Sequence, residues 1–215
     1  MGQTAVSGVI DAVSYLGLGH VFTANMTGNI VFLAFAAAGA SGLSVPRSGT
    51  ALVAFLVGAV IGGWIATRMS AGPWHRWTGI AFGGEAILFL AAAVVALGRG
   101  AEVSNGTVLY AVIALSGIAM GLRNATVRKL GVRDLPTTVL TLTLTGLGAD
   151  STLAGGSNPN WRRRAGSVVS MFVGAGVGVY LLRYQIAVPL GLCAVVGGGC
   201  AVAAYVGLRR TAQIE

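Results

Sequence analysis

Long runs without a charged residue constrain this chain more than any other feature. Residues 50–67, 86–98 and 103–122 contain no Asp, Glu, Lys or Arg. Apolar runs of about 20 residues are typical of membrane-spanning helices. Only 9% of the residues are charged, and mean hydropathy is +0.80, whereas soluble domains have about 25% charged residues. The sequence therefore predicts one integral membrane domain over residues 1–215.

Eight apolar segments follow one another along the chain. They lie at roughly 5–18, 21–39, 49–68, 77–98, 107–127, 136–149, 166–182 and 186–207. The first four map onto the last four at an offset of 114 residues, which places Thr23 on Thr137, Thr27 on Thr141 and Gly62 on Gly176. This order and spacing predicts two repeats, of about residues 1–100 and 101–215.

The loop Lys and Arg residues distinguish two topologies. If all eight segments cross, each side of the membrane receives 7 basic residues. If segments 1 and 2 together cross once, and segments 5 and 6 together cross once, one side receives 11 and the other 3. The second arrangement obeys the positive-inside rule. It predicts an all-α polytopic membrane protein with two inverted repeats of about three crossings each and both termini cytoplasmic.

Eight full crossings, or insertion in both orientations, remain open alternatives. A helix that began at Thr23 would have about 17 residues and a length of roughly 25 Å, which is nearly the thickness of a bilayer core.

The stretch GHVFTANMTGN, residues 19–29, is unusually polar for a chain of this kind. Gly17 and Gly19 make the backbone before it easy to unwind, and Thr23 and Asn25 are residue types that cap a following helix. The second repeat has DLPTTVLTLTLTG at the corresponding place. We therefore predict broken or re-entrant helices after Gly19 and after Arg133.

Inverted repeats with broken helices are the plan of many secondary transporters, and the helix N-termini at such breaks favour an anionic group. Thr23 and Thr27 would share a helix face, as would Asn25 and Asn29, and so would Thr137, Thr141 and Thr145. The candidate solute-binding residues are Thr23, Asn25, Thr27, Asn29, Thr137, Thr138, Thr141 and Asn124. The other interpretation is that these side chains only form hydrogen bonds between helices.

Three charged residues are candidates for ion coupling or for contact with the solute: Asp11, Glu85 and Arg123. A charge at bilayer depth is expensive and indicates function by default. Ser7, Asp11 and Ser14 fall on one helix face, which is expected to point inward. Alternatively, Asp11 bonds the broken backbone or pairs with Arg123, and Arg123 is a cytoplasmic anchor at the end of segment 5.

Several other classes of function find little support in the sequence. The net charge of +8 is spread over loops, so no nucleic-acid footprint is expected. His20 and His75 are far apart, and no metal-ligand or nucleophile motif is present. We therefore expect no enzyme activity, no cofactor and no metal. Small-residue faces such as Gly58 with Gly62 predict tight helix packing within the lipid bilayer, and they also suit a homodimer.

Two stretches resemble a known family. DAVSYLGLGHVFTANMTGNIVFLA and GLRNATVRKLGVRDLPTTVLTLTLTGLGAD are similar to the YoaK-type family of small bacterial integral membrane proteins of unknown function. The resemblance covers nearly the whole chain. It implies a multi-pass protein of the bacterial cytoplasmic (inner) membrane with about six transmembrane helices, and it supplies no substrate. Arg123 departs from the pattern, since a Gln commonly precedes the Asn in the family.

These observations favour a secondary transporter of a small solute, with its site at the paired helix breaks and Asp11 as the coupling residue. A passive channel of the same architecture is the first alternative. A structural or assembly protein of the membrane is the second.

Overall fold

The computed structural model describes residues 1–69, 74–99, 106–130 and 140–211, and in these ranges the fold is all-helical with no β-strand. Eight α-helices follow in order: α1 (Gly2–Ala12), α2 (Met26–Ala37), α3 (Val45–Arg68), α4 (Trp74–Ala96), α5 (Thr107–Leu130), α6 (Leu140–Ala149), α7 (Trp161–Leu182) and α8 (Ala187–Thr211). The eight predicted segments and the all-α class are confirmed.

Five helices are long and apolar enough to cross a membrane. The candidate spans are Val45–Arg68, Arg76–Ala96, Thr107–Leu130, Trp161–Leu182 and Ala187–Val206. They make the chain a multi-pass membrane protein. α1 is shorter, but it continues directly into a π-helical turn, Val13–Gly17.

The two remaining helices, α2 and α6, are short. α2 has 12 residues and α6 has 10 over its described length. At 1.5 Å per residue they extend about 18 Å and about 15 Å, which is well below the ~30 Å of a bilayer core. The prediction of a roughly 17-residue helix from Thr23 is wrong, because the helix begins only at Met26. These lengths argue against eight full crossings.

The chain breaks between the π-helical turn and α2, as predicted after Gly19. Gly19 and His20 have φ angles of 79° and 60°, which lie in the left-handed region. A right-handed helix cannot continue through residues in this conformation. Asn25 then caps α2, because its side-chain oxygen accepts a hydrogen bond from the Gly28 N–H at 3.4 Å. The predicted break after Arg133 lies outside the described residues.

The principal packing partners come from opposite halves of the chain. α1 packs mainly on α7, α3 on α5 and α4 on α8, and α5 also packs on α4. The core contains residues from all of these helices, including Ile10, Ala51, Phe89, Ile113 and Leu190. The first four and last four helices are therefore interleaved rather than separate bodies.

The glycines show how closely these helices approach. In the α3–α5 pair, a Cβ on Gly58 would overlap the backbone of Ile118, and one on Gly121 would overlap the backbone of Phe55. In the α1–α7 pair, a Cβ on Gly174 would overlap the backbone of Ala5. Small residues thus let backbones touch where lipid provides no hydrophobic drive for association.

Matching contacts recur in the two pairs. Gly62 faces Leu122 and Ala125, and Gly178 faces Val9 and Ala12. The counterpart of Gly62 by packing is therefore Gly178. The offset of 114 residues predicted Gly176 as this counterpart. That pairing is wrong, since nothing lies within 4 Å of a Cβ built on Gly176.

We predict that Gly174→Ala destabilises the protein, because the added methyl group overlaps the Ala5 backbone. The expected loss of unfolding free energy is about 1–3 kcal/mol, the usual cost of overpacking. Gly176→Ala, two residues away on the same helix, is the matched control. It should be neutral or stabilising, since alanine favours helix over glycine. Denaturant unfolding in detergent measures both, and equal effects would contradict the packing of α1 on α7.

Candidate functional site

A fully buried ion pair lies between α4 and α5. Arg123 Nη2 donates to Glu85 Oε1, and both side chains are 0% exposed. Glu85 is the middle residue of α4, with 11 residues on either side. In a helix that crosses the membrane, this position lies near the centre of the bilayer. The pair is therefore a charged site between two candidate membrane spans, where charge is costly.

Arg123 also reaches α1. Its Nη1 donates to the Gln3 carbonyl oxygen at 3.0 Å and to Ser7 Oγ at 3.1 Å. A single guanidinium thus ties together three helices, two from the first half of the chain and one from the second. The alternative that Arg123 is a cytoplasmic anchor at a helix end is wrong, because its side chain is inside the bundle.

α1 presents a polar stripe to this interior. Ser7 is 3% exposed and Ser14 is 0% exposed, so the prediction that this face points inward is confirmed. Gln3 was not among the predicted site residues. Gln3 lies four residues before Ser7 and eight before Asp11. This spacing could have identified Gln3 from the sequence, since residues four apart share a helix face.

Several polar atoms in the interior have no hydrogen-bond partner among the described residues. They are Gln3 Oε1 and Nε2, Asp11 Oδ1, Glu85 Oε2, Ser116 Oγ and Arg123 Nε. Unpaired buried polar groups are rare in proteins and call for an explanation. A functional site that must bind and release something is one such explanation. Ser116, on α5, was also missed by sequence reasoning.

Asn29 closes the break before α2. Its Oδ1 accepts from the Phe22 N–H at 2.8 Å, and its Nδ2 donates to the Phe22 carbonyl oxygen. It is 0% exposed. This amide therefore satisfies backbone groups that the break leaves unpaired, which favours a structural role over contact with a solute.

The remaining polar residues of this stretch do not share the predicted faces. Thr23 and Asn25 precede α2, so neither lies on a helix face with Thr27 or Asn29. Asn25 is a cap as predicted. Thr23 is buried, but its hydroxyl contacts no partner in the described chain, so its expected role as a cap is wrong. Thr27 is exposed.

Helix end effects add no support for an anion here, because the Gly28 N–H is already bonded to Asn25.

Aromatic rings brace the break from one side. Tyr15 stacks on Phe22 at a centroid distance of 5.4 Å and meets His20 edge-on at 5.0 Å. Phe22 stacks in turn on Phe32 of α2 at 5.6 Å. Arg47 Nη1 donates to the Gly19 carbonyl oxygen at 3.5 Å. The irregular backbone is thus held by this packing, by the long Arg47 hydrogen bond and by the two hydrogen bonds of Asn29.

The second repeat is described only in part. Thr137 and Thr138 lie outside the described residues. Thr141 and Thr145 are exposed, and Thr143 is the buried residue of α6. Asn29 is likewise the buried residue of α2, and it lies 114 positions before Thr143. The Thr141 face is therefore not the inward face that the pattern predicted.

Asn124 contacts its own helix. Its Nδ2 donates to the Met120 carbonyl oxygen at 2.8 Å, one turn back along α5. It is half-buried. Among the described residues, no group of three His, Cys, Asp or Glu side chains could hold a metal ion.

Comparison with known proteins agrees with the fold. The family model "Protein of unknown function (DUF1275)" matches residues 1–206. The chain belongs to this family. It is similar to the UPF0700 transmembrane protein YoaK of Bacillus subtilis (strain 168), with 35% identity over 141 residues.

That alignment covers 66% of this chain and 60% of the YoaK protein. The chain therefore matches less than two thirds of the relative's length. The resemblance to YoaK is confirmed. No solved structure matches the chain significantly.

We predict that Arg123→Met and Glu85→Met each destabilise the protein strongly, because each leaves the other charge buried without its partner. The expected loss is about 3–5 kcal/mol for each single variant. The double variant should lose much less than the sum, since an apolar pair replaces an ion pair at little cost.

The control is Asp150→Asn. Asp150 pairs with Arg164 at 2.6 Å on the periphery, where its side chain is 43% exposed, and pairs of this kind contribute about 1 kcal/mol or less. Denaturant unfolding in detergent measures all four variants. Additive losses in the double variant would show that Glu85 and Arg123 do not act together.

Proposed function

We propose that this protein is a secondary transporter of a small solute, built from two inverted repeats that alternate around a cluster formed by the buried Glu85–Arg123 pair and the half-buried Asp11. The observation that carries the proposal is the ion pair at the middle of α4. A buried ion pair is weak evidence for stability, because apolar residues of similar volume serve as well or better. An intramembrane charge that stability does not require is typical of a solute or ion pathway.

The packing supports the inverted repeats. The α1–α7 pair and the α3–α5 pair make matching glycine contacts, such as Gly178 with Val9 and Gly62 with Leu122. α1 corresponds to α5 in the chain order and α7 corresponds to α3, so these two pairs exchange under a two-fold operation. α4 and α8 pack on each other, as expected for two corresponding helices beside the axis.

The charges of the loops support the orientation. α2 is too short to cross, and we assign the same role to α6. Each repeat then crosses three times, and the positive-inside rule puts both termini in the cytoplasm. Arg123 no longer counts among the loop charges, and the bias keeps its direction without it. The membrane proposed is the bacterial cytoplasmic membrane, since the YoaK protein is a bacterial transmembrane protein.

The interleaved helices define what would move. The α1–α7 pair and the α3–α5 pair each pack tightly through glycines, which favours each pair moving as one unit. The α4–α8 pair would remain between them. Arg123 contacts α1 and α4 from α5, so any relative motion of the two pairs must rearrange its hydrogen bonds. This couples the state of the cluster to the conformation.

In this proposal the break before α2 lies on the route of the solute and not at the binding site itself. Its exposed polar residues, Asn25 and Thr27, are available to a solute on its way to the cluster. Asn29 maintains the shape of the break. Thr141 of α6 is the corresponding exposed residue of the second half.

The proposal is tested with purified protein in liposomes. The vesicles are offered a mixture of amino acids, carboxylic acids, polyols and amines under an imposed proton or sodium gradient, and their contents are measured by mass spectrometry. We expect at least one solute to accumulate above its external concentration. Glu85→Gln should reduce the initial rate by about tenfold or more, equivalent to about 1.4 kcal/mol or more, because the cluster loses a charge. Asp150→Asn should transport normally.

Two outcomes would contradict the proposal. Solute that only equilibrates, with no response to either gradient, would indicate a passive channel. Absence of movement for every solute class, with folded protein in the vesicles, would indicate a structural or assembly role.

A further inference from the structure

The central cluster contains one more acid than base. Asp11 and Glu85 are carboxylic acids, and Arg123 is the base that lies between their helices. If all three groups were ionised, the cluster would carry a net charge of −1. Such a charge is strongly disfavoured away from water unless a proton or another cation balances it. The inference below rests on the proposed function and concerns the ion that the cluster carries.

The hydrogen bonds show which acid lacks a partner. Arg123 Nη2 donates a hydrogen bond to Glu85, and Arg123 Nη1 donates to Ser7 Oγ and to the Gln3 carbonyl oxygen. Asp11 forms no ion pair with any basic residue in the described ranges, and its buried Oδ1 has no hydrogen-bond partner there. Asp11 is therefore the unbalanced group.

Asp11 is nevertheless within reach of the guanidinium. Ser7 lies one helical turn before Asp11, and residues at that spacing have Cβ atoms about 5–6 Å apart. A guanidinium nitrogen bonded to Ser7 Oγ therefore lies against the same helix face that carries Asp11. Arg123 Nε and Glu85 Oε2 also have no hydrogen-bond partner among the described residues. The ion pair can therefore be made through these atoms when the guanidinium turns.

Among the described residues, α7 and α8 provide no ion-pair partner for Asp11. α7 faces this end of α1 with Gly178, which contacts Val9 and Ala12. α8, which also packs on α1, contributes the buried thiol of Cys193 to the core. The charged groups that face α1 from α4 and α5 are Glu85 and Arg123.

We propose that Asp11 carries a single exchangeable proton, and that Arg123 binds Asp11 when this proton leaves. With the proton in place, Asp11 is neutral and the Glu85–Arg123 pair balances itself. When the O–H bond of Asp11 breaks, the proton passes to water and the electron pair stays on the carboxylate. Arg123 Nη1 then leaves Ser7 and Gln3 for Asp11, while Nη2 stays on Glu85. The coupling ion of the transporter is therefore a proton, one for each chain.

Infrared difference spectroscopy of the full chain in lipid tests this without a solute. The sample is stepped from acidic to alkaline buffer, and the C=O band of protonated carboxyl groups is followed. The wild type should show one protonated carboxyl at neutral pH that is lost at alkaline pH. Asp11→Asn should remove that band, because the titrating group is gone, and Asp150→Asn should leave it unchanged.

Two further variants test the exchange of Arg123. In Glu85→Gln the guanidinium is free to pair with Asp11, so the band should be absent at neutral pH although Asp11 is present. In Arg123→Gln both acids lose their base, so the band should grow by about twofold as both carboxyl groups take up protons. Glu85→Asp, which preserves the charge, replaces Glu85→Gln if that variant does not fold, and it should keep the wild-type band.

A wild-type protein with no protonated carboxyl at neutral pH would overturn the inference, and so would a band that survives Asp11→Asn. These outcomes are independent of the transport assay. A vesicle experiment without solute movement would overturn the proposed function while the infrared band remained. A missing band with solute accumulation intact would overturn only the assignment of the proton.

Discussion

The ion pair between Glu85 and Arg123 is the interaction on which the arrangement of the bundle depends. Away from water, an unpaired charge costs several kcal/mol, so both side chains must meet whenever the helices close around them. Because Arg123 also bonds Ser7 and the Gln3 carbonyl, the same guanidinium links α1 to α4 and α5. Asp11, Glu85, Ser116 and Arg123, which have unpaired buried atoms, lie on these helices. The links between these helices and the proposed function thus depend on the same few groups.

Glycine contacts make this central cluster possible. Lipid tails are as apolar as the side chains they would replace, so helices associate in a membrane by close packing rather than by hydrophobic drive. Gly58 and Gly121 bring α3 against α5, and Gly174 brings α7 against α1. The two close pairs leave the middle of the bundle to α4 and α8. The broken backbone before α2 is also held by specific contacts, since Asn29 bonds both backbone groups of Phe22.

Local features could be predicted from the sequence, and long-range pairings could not. Eight apolar segments, the break after Gly19, the Asn25 cap and the inward face of Ser7 all follow from residues close in the chain. The partner of Arg123 did not follow, because Glu85 lies 38 residues away on a helix whose register against α5 depends on packing. The repeat offset was misjudged for a related reason. The contacts of Gly62 with Leu122 match those of Gly178 with Val9, so the offset of 114 residues pairs neither Gly62 with Gly178 nor Val9 with Leu122.

The inverted arrangement of the two halves is the central claim, and the sidedness of two loops tests it most directly. Ser41, between α2 and α3, and Ser157, between α6 and α7, are both exposed. Each is replaced by cysteine in a Cys193→Ser, Cys200→Ser background, and whole cells are treated with a membrane-impermeant thiol reagent. The account predicts that Ser41→Cys is labelled from outside and that Ser157→Cys is labelled only after the membrane is opened. Labelling of both positions from the same side would contradict the inverted repeats, and with them the alternating transporter.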